Sequence, residues 1–337
     1  MMTGLSFPQS LPEFQRMFPT DDACAKYLEG VRWPSGFICS WCMAVEQPYR
    51  FANRPSVLRC RACKKDVGLT AGTVMERSHT PLSTWFWAAY LVSSLTPGMS
   101  AVQFQRQLGL TRYETAFSIL HKLRAGMVRP NRDKIGAEHP VELDEVWIGG
   151  RTRGEGRGTH HKVCVVGAVE VRHRTANDLP DALQNKAKPR RGNKYAGRLR
   201  LSVVKNRKAA TLVGWTRENV AHRAKVTTDD WSGYDRLCDD GYIHTQVAER
   251  GDPVVAEEYL PLIHLVYSNL KAWLIGVHHG VAPQHLQAYL NEFVFRFNRR
   301  FYPFSSFRSL LGISGGSESP TLDELYSGEW KHPGEAA

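Results

Sequence analysis

Apolar and polar residues follow two different patterns along this 337-residue chain, and the pattern changes near residue 139. Before that point apolar residues recur every three or four positions, as in Leu91 with Leu95 and Ile119 with Leu123, which predicts helices. After it, short apolar runs predict strands that are separated by turns and helices. The pattern therefore predicts a helical first part and an α/β second part.

Strand-like runs of the second part cover 141–148, 163–171, 199–204, 225–228 and 242–247. A helical pattern follows the third run, and a second one over 263–274 follows the fifth. This order is the layout of a ribonuclease-H-like α/β domain, a mixed sheet with flanking helices. We predict that domain over 135–312, with 172–198 as an insertion in its second hairpin.

The remaining segments divide by composition. We predict a helical lead-in over 1–30, a small cysteine module over 31–75, a helical region over 76–130 and a flexible tail over 313–337. The tail is rich in Gly, Ser, Glu and Pro and has few apolar residues, which is typical of disorder.

Two Cys-x-x-Cys pairs mark the cysteine module. Cys39 and Cys42 form the first pair, and Cys60 and Cys63 follow after 17 intervening residues. Two such pairs joined by a hairpin match a tetrahedral zinc ribbon. Because four thiolates close the coordination sphere, we expect this Zn²⁺ to be structural and not catalytic.

The helical region contains a helix, a Leu-Gly-Leu turn around Gly109 and a second helix. This spacing is typical of a DNA-binding helix-turn-helix, although a plain helical hairpin would give the same pattern. In the helix-turn-helix interpretation, Arg112 lies at the start of the recognition helix and is a candidate DNA contact.

Net charge is +11, which favours an anionic partner such as DNA. Ten Lys and Arg residues and no acidic residue lie between Lys186 and Lys208. Within this run we select Lys188, Arg190, Arg191 and Lys194 as candidate DNA contacts. The sequence has no apolar run long enough to span a membrane, so we expect a cytoplasmic protein with no membrane partner.

Carboxylates lie where predicted strands end. Asp144 lies within the run 141–148, and Asp229 ends a later run. Carboxylate oxygens are the ligands of Mg²⁺ and related hard cations, so the two residues predict a divalent metal site. Glu145 and Asp230 compete for these roles. Since successive strand residues face opposite ways, Glu145 would lie on the other face if Asp144 points into the site.

The predicted helix over 263–274 supplies the rest of the candidate site. His264 and Lys271 are seven residues apart and therefore share one helix face. His264 would complete a metal site, and Lys271 would contact a phosphate. Imidazole is a softer ligand than carboxylate and suits Mn²⁺ better than Mg²⁺. His264 could also be an ordinary core histidine.

At these residues the chain resembles a known family, the DDE-type transposases of bacterial insertion sequences that carry an N-terminal zinc ribbon. The stretch from Val141 to Gly150 resembles the strand with the family's VDE…GG pattern, and Thr228 to Tyr234 resembles its TDGW.GY motif. The run from Ser268 to Leu274 is similar to its lysine-bearing helix. The similarity extends over roughly residues 25–310.

The resemblance implies DNA transposition, namely binding of terminal inverted repeats, strand nicking and strand transfer with Mg²⁺ or Mn²⁺. It implies Asp144 and Asp229 as the first two metal ligands and Lys271 as the family's basic residue. The third acidic ligand of the family falls on His264, with Asn269 as the fallback in another helix register.

The family also implies pairing of two DNA ends by a homodimer or larger assembly, in a bacterial, nucleoid-associated setting. Because His264 departs from the family's Glu, an alternative function stays open. That alternative is a non-catalytic DNA-binding protein, either a decayed transposase or a regulator; a nuclease on the same fold is a third.

Overall fold

The computed structural model describes most of the chain, over residues 5–129, 132–149, 162–174, 180, 183, 193–248, 255, 258–316 and 319–331. The described residues form two compact units. The first contains the residues up to 129 together with 302–331, and the second contains 132–301. No helix in the described part is long and apolar enough to cross a membrane.

Two short helices open the first unit. Helix α1 spans Leu11–Met17 and α2 spans Asp21–Arg32. Their caps are Ser10 and Thr20, whose hydroxyls accept backbone N–H groups of the first turn and so start each helix. Helix α2 buries one apolar stripe, which the three-to-four-residue spacing of its apolar residues creates.

The cysteine module forms a three-stranded antiparallel sheet. Its strands are β1 (Tyr49–Arg50), β2 (Val57–Arg59) and β3 (Asp66–Gly68). Arg59 Nε and Nη2 donate to the two carboxylate oxygens of Asp66 across the β2–β3 pair. The sequence predicts a hairpin between the two cysteine pairs, and β1 and β2 form it. Strand β3 lies beyond the second pair and is therefore outside the predicted hairpin.

Three helices follow the sheet: α3 (Leu82–Ser94), α4 (Ala101–Gln107) and α5 (Tyr113–Ala125). Helix α3 is apolar on nearly all sides and is buried accordingly. Helices α4 and α5 pack on each other. The turn between them contains Gly109, whose positive φ of 61° suits glycine. The helix, turn, helix order is therefore the one that the sequence predicts.

The C-terminal segment belongs to the first unit, and this corrects two expectations. The predicted domain over 135–312 extends only to residue 301, because helix α9 (Ser305–Ser314) packs with the first unit. Phe307 of this helix is 1% exposed. Its ring lies within 6.3 Å of five other rings, those of Phe14, Phe18, Tyr27, Phe86 and Tyr90.

The expected flexible tail is also wrong for the residues that the structure describes. Helix α10 spans Leu322–Ser327 and begins with a capping box between Thr321 and Glu324. Leu325 is buried, and the ring of Tyr326 stacks on Phe117 at 4.5 Å. A capping box followed by two apolar anchors orders this segment despite its polar composition.

The second unit contains a five-stranded mixed sheet in the order β6-β5-β4-β7-β8. Its strands are β4 (Val141–Ile148), β5 (Val163–His173), β6 (Lys194–Val204), β7 (Lys225–Asp229) and β8 (Ile243–Val247). Strands β4 to β6 form an antiparallel meander, while β7 lies parallel to β4 and β8 parallel to β7. The predicted ribonuclease-H-like fold is confirmed.

Helices cover both faces of this sheet. Helix α6 (Ala209–Asn219) lies on one face, with Leu143 in the shared core. Helices α7 (Pro261–His278) and α8 (Leu286–Asn298) lie on the other, against a core that contains Val165 and Val169. Both faces of β5 are thus covered, which explains its nearly continuous apolar run.

Not all basic residues of the run 186–208 are free on the protein surface. Strand β6 begins at Lys194 and not at 199, so the predicted insertion loses its last residues to the sheet. Arg198 pairs with Glu170, and Arg200 is buried with its pKa lowered to about 10 by loss of hydration. Arg200 therefore belongs to the interior of the unit, and the partly exposed Arg198 is held in its ion pair with Glu170.

Glu170 is fully buried and accepts hydrogen bonds from backbone N–H groups of Gly136 and Arg198 and from the Arg198 guanidinium. Although burial alone would raise its pKa, these donors lower it to about 2. The unfolded pKa is about 4.3, so the difference stabilises the folded state by about 3 kcal/mol at neutral pH. This stabilisation is present above pH 4.3 and is lost as the pH falls towards 2.

We therefore expect Glu170→Gln to destabilise the second unit by about 3 to 5 kcal/mol at pH 7 and by much less near pH 2.5. Denaturant unfolding of both proteins at the two pH values, followed by tryptophan fluorescence, measures the difference. The exposed Glu218→Gln is the control and should change little at either pH. An equal loss at both pH values would contradict a charge-dependent role for Glu170.

Candidate active site and zinc centre

The four cysteines of the first unit converge on one point. All four Sγ atoms lie within 4.8 Å of one another. Cys39 is 3.7 Å from Cys63, and Cys42 is 3.7 Å from Cys60. A tetrahedron of sulfurs at a Zn–S distance of about 2.3 Å has edges of about 3.8 Å. The donor set therefore fits Zn²⁺.

Both cysteine pairs use the same backbone turn. The residue after each second cysteine, Met43 or Lys64, has a positive φ of 60° or 62°. The N–H of Met43 donates to the carbonyl of Cys39, and that of Lys64 donates to the carbonyl of Cys60. This turn folds each pair back on itself and directs its two thiols inward.

Asp144 and Asp229 lie side by side at one edge of the second unit's sheet, together with Glu145. One carboxylate oxygen of each lies within 4.8 Å of the others. Among the described residues this group and the four cysteines are the clusters of three or more metal-binding side chains. The competitor of Asp229, Asp230, is exposed and lies outside the cluster.

The strand pairing explains why these carboxylates can meet. Strand β7 pairs with β4 only at Val141 with Val226 and at Glu142 with Thr227. Asp144 and Glu145 lie just beyond the last pair, and the N–H of Glu145 donates to Asp144 Oδ1 at 2.7 Å. The two side chains leave opposite faces of β4, as expected, yet both reach this edge. The expectation that Glu145 would point away from the site is therefore wrong.

Glu145 is held by two partners on the α6 side of the sheet. The hydroxyl of Tyr234 donates to Glu145 Oε2 at 2.6 Å, and Arg207 Nη1 lies 3.4 Å from Oε1. Both oxygens thus have protein partners. Burial raises the pKa of Glu145, the Tyr234 hydroxyl lowers it, and the charges of Asp144 and Asp229 raise it further.

Asp229 is oriented by the turn that follows β7. The N–H of Trp231 donates to Asp229 Oδ1 at 3.2 Å. Burial raises the pKa of Asp229; the Trp231 N–H lowers it, and the neighbouring carboxylates Asp144 and Asp230 raise it. Half-buried carboxylates this close together repel one another, and a divalent cation between them would remove that repulsion. The cluster therefore fits a hard divalent cation.

Helix α7 is fixed to β4 beside these carboxylates. Buried Glu142 accepts the N–H groups of Leu262 and Ile263 at 2.8 Å each, in the first turn of the helix. A carboxylate at a helix N-terminus satisfies donors that have no partner within the helix. The Tyr267 hydroxyl, one turn further, donates to the carbonyl of Asp144. Both contacts connect the helix to the strand that carries Asp144.

His264 lies on this helix next to the carboxylates. Its Nε2 is 3.4 Å from Asp144 Oδ2, and its side chain is 37% exposed. It is therefore not a core histidine. Lys271 lies two turns along the same helix face and is exposed, and Asn269 is exposed as well.

The candidate DNA contacts lie in different places. Arg112 is the exposed N-cap residue of α5, at the start of the second helix of the helix-turn-helix. Lys194 is the first residue of β6 and pairs with His173. The remaining three, Lys188, Arg190 and Arg191, lie outside the described residues.

Residues 136–298 match the family model of the ISXO2-like transposase domain, and residues 19–66 match that of the transposase zinc-ribbon domain. Searches of curated proteins and of solved structures gave no match. The two family matches confirm the resemblance. The chain belongs to the DDE-type insertion-sequence transposases that carry an N-terminal zinc ribbon, and its function is that of a DNA-binding transposase.

Proposed function

We propose that this transposase binds the terminal inverted repeats of its insertion sequence and catalyses DNA strand cleavage and strand transfer by two-metal phosphoryl transfer. The observation that carries the proposal is the carboxylate cluster at the ends of β4 and β7, with one oxygen each from Asp144, Glu145 and Asp229 within 4.8 Å. Such a cluster at a sheet edge is what a site for Mg²⁺ or Mn²⁺ requires.

Asp144 and Asp229 are the proposed metal ligands. When bound, paired divalent cations activate the attacking oxygen and stabilise the leaving oxygen of an in-line displacement at phosphorus. Each aspartate accepts one backbone N–H through Oδ1, which fixes its orientation before a cation arrives. Among the described residues no hydrogen-bond donor contacts Asp229 Oδ2, so this oxygen is available to a cation.

The third ligand is His264, which approaches the outer oxygen of Asp144 from helix α7. Glu145 has a supporting role, because Tyr234 and Arg207 already occupy its oxygens. Lys271, exposed on the His264 face of the helix, contacts a phosphate of the DNA strand. The imidazole ligand favours Mn²⁺ over Mg²⁺ relative to a site with a third carboxylate.

DNA recognition is assigned to the first unit. Arg112 and its exposed neighbours at the start of α5 are positioned for a groove, as in a helix-turn-helix. The zinc ribbon adds a second basic surface, in which Arg61 lies 4.6 Å above the ring of Tyr49 and Lys65 lies 4.7 Å above that of Trp41. Transposition of two ends further implies a homodimer or larger assembly on DNA, in the bacterial cytoplasm and associated with the nucleoid.

The competing function is a DNA-binding protein without catalysis, either a decayed transposase or a regulator. One observation favours it, the replacement of the family's third carboxylate by His264. Purified protein incubated with a duplex that carries the element end and flanking DNA, in Mg²⁺ or Mn²⁺, separates the two functions. Specific nicking at the element boundary supports the transposase, whereas binding without cleavage in either metal supports the regulator.

In the same assay we expect His264→Ala to lower the nicking rate by about 100-fold and to shift the metal requirement to higher concentration, because a ligand beside Asp144 is lost. Metal titration of the nicking rate is the measurement. His222→Ala, at an exposed histidine of the same unit, is the matched control. Unchanged nicking by His264→Ala would remove His264 from the site and leave Glu145 as the third ligand.

A further inference from the structure

A cleft opens beside the carboxylate cluster, on the side of the sheet that α6 covers. Its volume is about 480 Å³, and the indole rings of Trp147 and Trp231 lie in its lining. This volume is within the range of about 300–1,000 Å³ that small-molecule ligands occupy in proteins. No proposed role of the metal site uses either tryptophan ring.

The position of the two rings follows directly from the catalytic strands. Trp147 lies two residues after Glu145 on the same face of β4, and Trp231 lies two residues after Asp229. The Trp231 ring is fixed, because its Nε1 donates to the carbonyl of Arg207 at 3.0 Å. Whatever enters the cleft therefore lies next to the carboxylate cluster.

The charge of the cleft matches a nucleic acid. Lys205, Arg207 and Lys208 line it, and none of its lining residues in the described part of the chain is acidic. The Arg207 guanidinium lies 3.6 Å from the centre of the Trp231 ring and also approaches Glu145. Lys205 and Lys208 are exposed. The cleft thus combines aromatic surface for a base with mobile ammonium groups for a phosphate.

We propose that this cleft holds one unpaired nucleotide of the DNA strand next to the phosphate that is cleaved, with its base stacked on the indole of Trp147 and its phosphate near Lys205 and Lys208. An unpaired nucleotide fits better than a duplex, because bases inside a duplex already stack on their neighbours and have no face to offer. This inference rests on the proposed DNA-cleaving function and names the strand conformation that the site accepts.

The test is equilibrium binding of the full-length protein, by fluorescence anisotropy, with no divalent cation added. The probes are DNA hairpins with one open end. In one probe this end is blunt. In the others it carries an overhang of three unpaired thymidines, on the 5′ or the 3′ strand, or the same overhang with abasic sugars in place of the thymidines.

Stacking of a base on an aromatic ring contributes about 1–3 kcal/mol. The thymidine overhang on either the 5′ or the 3′ strand should therefore bind at least about fivefold more tightly than the blunt and abasic ends.

Variants assign this preference to the cleft. Trp147→Leu should abolish it without changing affinity for the blunt hairpin, and Trp147→Phe should keep most of it. Trp273→Leu, at a half-buried tryptophan on helix α7, is the matched control and should keep it in full. Lys205→Ala combined with Lys208→Ala should weaken overhang binding and reduce its salt dependence.

Equal affinity for the three kinds of end would overturn the proposal, as would a preference that Trp147→Leu retains. If the abasic overhang binds as tightly as the thymidine overhang, the proposal is also overturned, because the cleft would then bind a phosphate without a base. Nicking assays decide the proposed function separately. Overhang preference without nicking contradicts the catalytic proposal alone, and nicking without overhang preference contradicts the cleft alone.

Discussion

Replacement of Asp144 or Asp229 by Asn is expected to lower the rate of DNA strand cleavage by at least about a thousandfold while DNA affinity stays the same. Asn has the shape of Asp but no negative charge, and it cannot hold a divalent cation as a carboxylate does. The measurement pairs a nicking assay with an anisotropy titration of the same element-end DNA. A loss of several kcal/mol in transition-state stabilisation with unchanged binding is the signature of a metal ligand.

A second readout distinguishes a ligand from a structural carboxylate. The carboxylates of Asp144, Glu145 and Asp229 lie close together. Burial raises the pKa of Asp229, and the charges of neighbouring carboxylates raise it further. Without a cation, Asp229→Asn removes a repelling charge and should make the protein as stable as wild type or more stable. A structural carboxylate would behave in the opposite way, since its loss destabilises the fold.

Asp230→Asn is the control for this experiment, because Asp230 is adjacent in sequence but exposed and outside the cluster. It should nick DNA at nearly the wild-type rate. If Asp144→Asn and Asp229→Asn both nick normally, the carboxylate cluster is not the catalytic site. If Asp230→Asn is the inactive variant, the second metal ligand is Asp230.

Replacement of Cys60 by Ser is expected to release the zinc ion and unfold the ribbon. Structural zinc sites of small modules contribute about 10–16 kcal/mol of apparent binding free energy at neutral pH, and such modules do not fold without the metal. The ribbon's sheet has strands of only two or three residues, so little else can hold it. Zinc content should fall from one ion per chain to nearly none, measured with a colorimetric chelator.

The same variant should be cleaved by protease within 39–63 and bind DNA more weakly, while the second unit keeps its denaturant unfolding transition. Cys238→Ser is the matched control, because Cys238 is an exposed cysteine of the second unit. It should retain zinc and DNA affinity. Full zinc content in Cys60→Ser would show that the four cysteines are not the ligand set.

Sequence patterns were sufficient where a residue's role depends on local periodicity or spacing. The strand run over 141–148, the two cysteine pairs and the strand end at Asp229 each carry their signal within a few positions, and the structure places them accordingly. Strand β3 was not predicted, because it lies beyond the second cysteine pair and three residues have no measurable period.

Long-range contacts account for the remaining differences. Glu145 was expected on the face away from the site, but its carboxylate joins Asp144 because the pairing of β4 with β7 stops at Glu142 and Thr227, and the ends of the two strands are reachable from both faces. Alternation along one strand carries no information about where its pairing with the neighbouring strand stops. Arg198 and Arg200 looked like free surface cations, but Arg200 is buried in β6, and the partly exposed Arg198 pairs with buried Glu170.

The tail illustrates a signal that was present but outweighed by composition. Thr321 and Glu324 form a capping box, which the sequence spacing shows directly. Ser, Gly and Pro around it favoured disorder. Leu325 and Tyr326 nevertheless order the helix, because one buried leucine and one tyrosine ring stacked on Phe117 are enough when a packed surface already exists for them.

The position of Phe307 has a consequence for synthesis of the protein on the ribosome. Domains usually fold in the order in which they emerge, but here the aromatic core of the first unit lacks a central ring until residue 307 has been translated. The second unit can therefore complete its fold before the first unit, most of which precedes it in the chain. A nascent chain that lacks residue 307 is left with exposed aromatic surface in place of a finished first unit. The stability of the first unit thus depends on a segment that is translated only after the second unit.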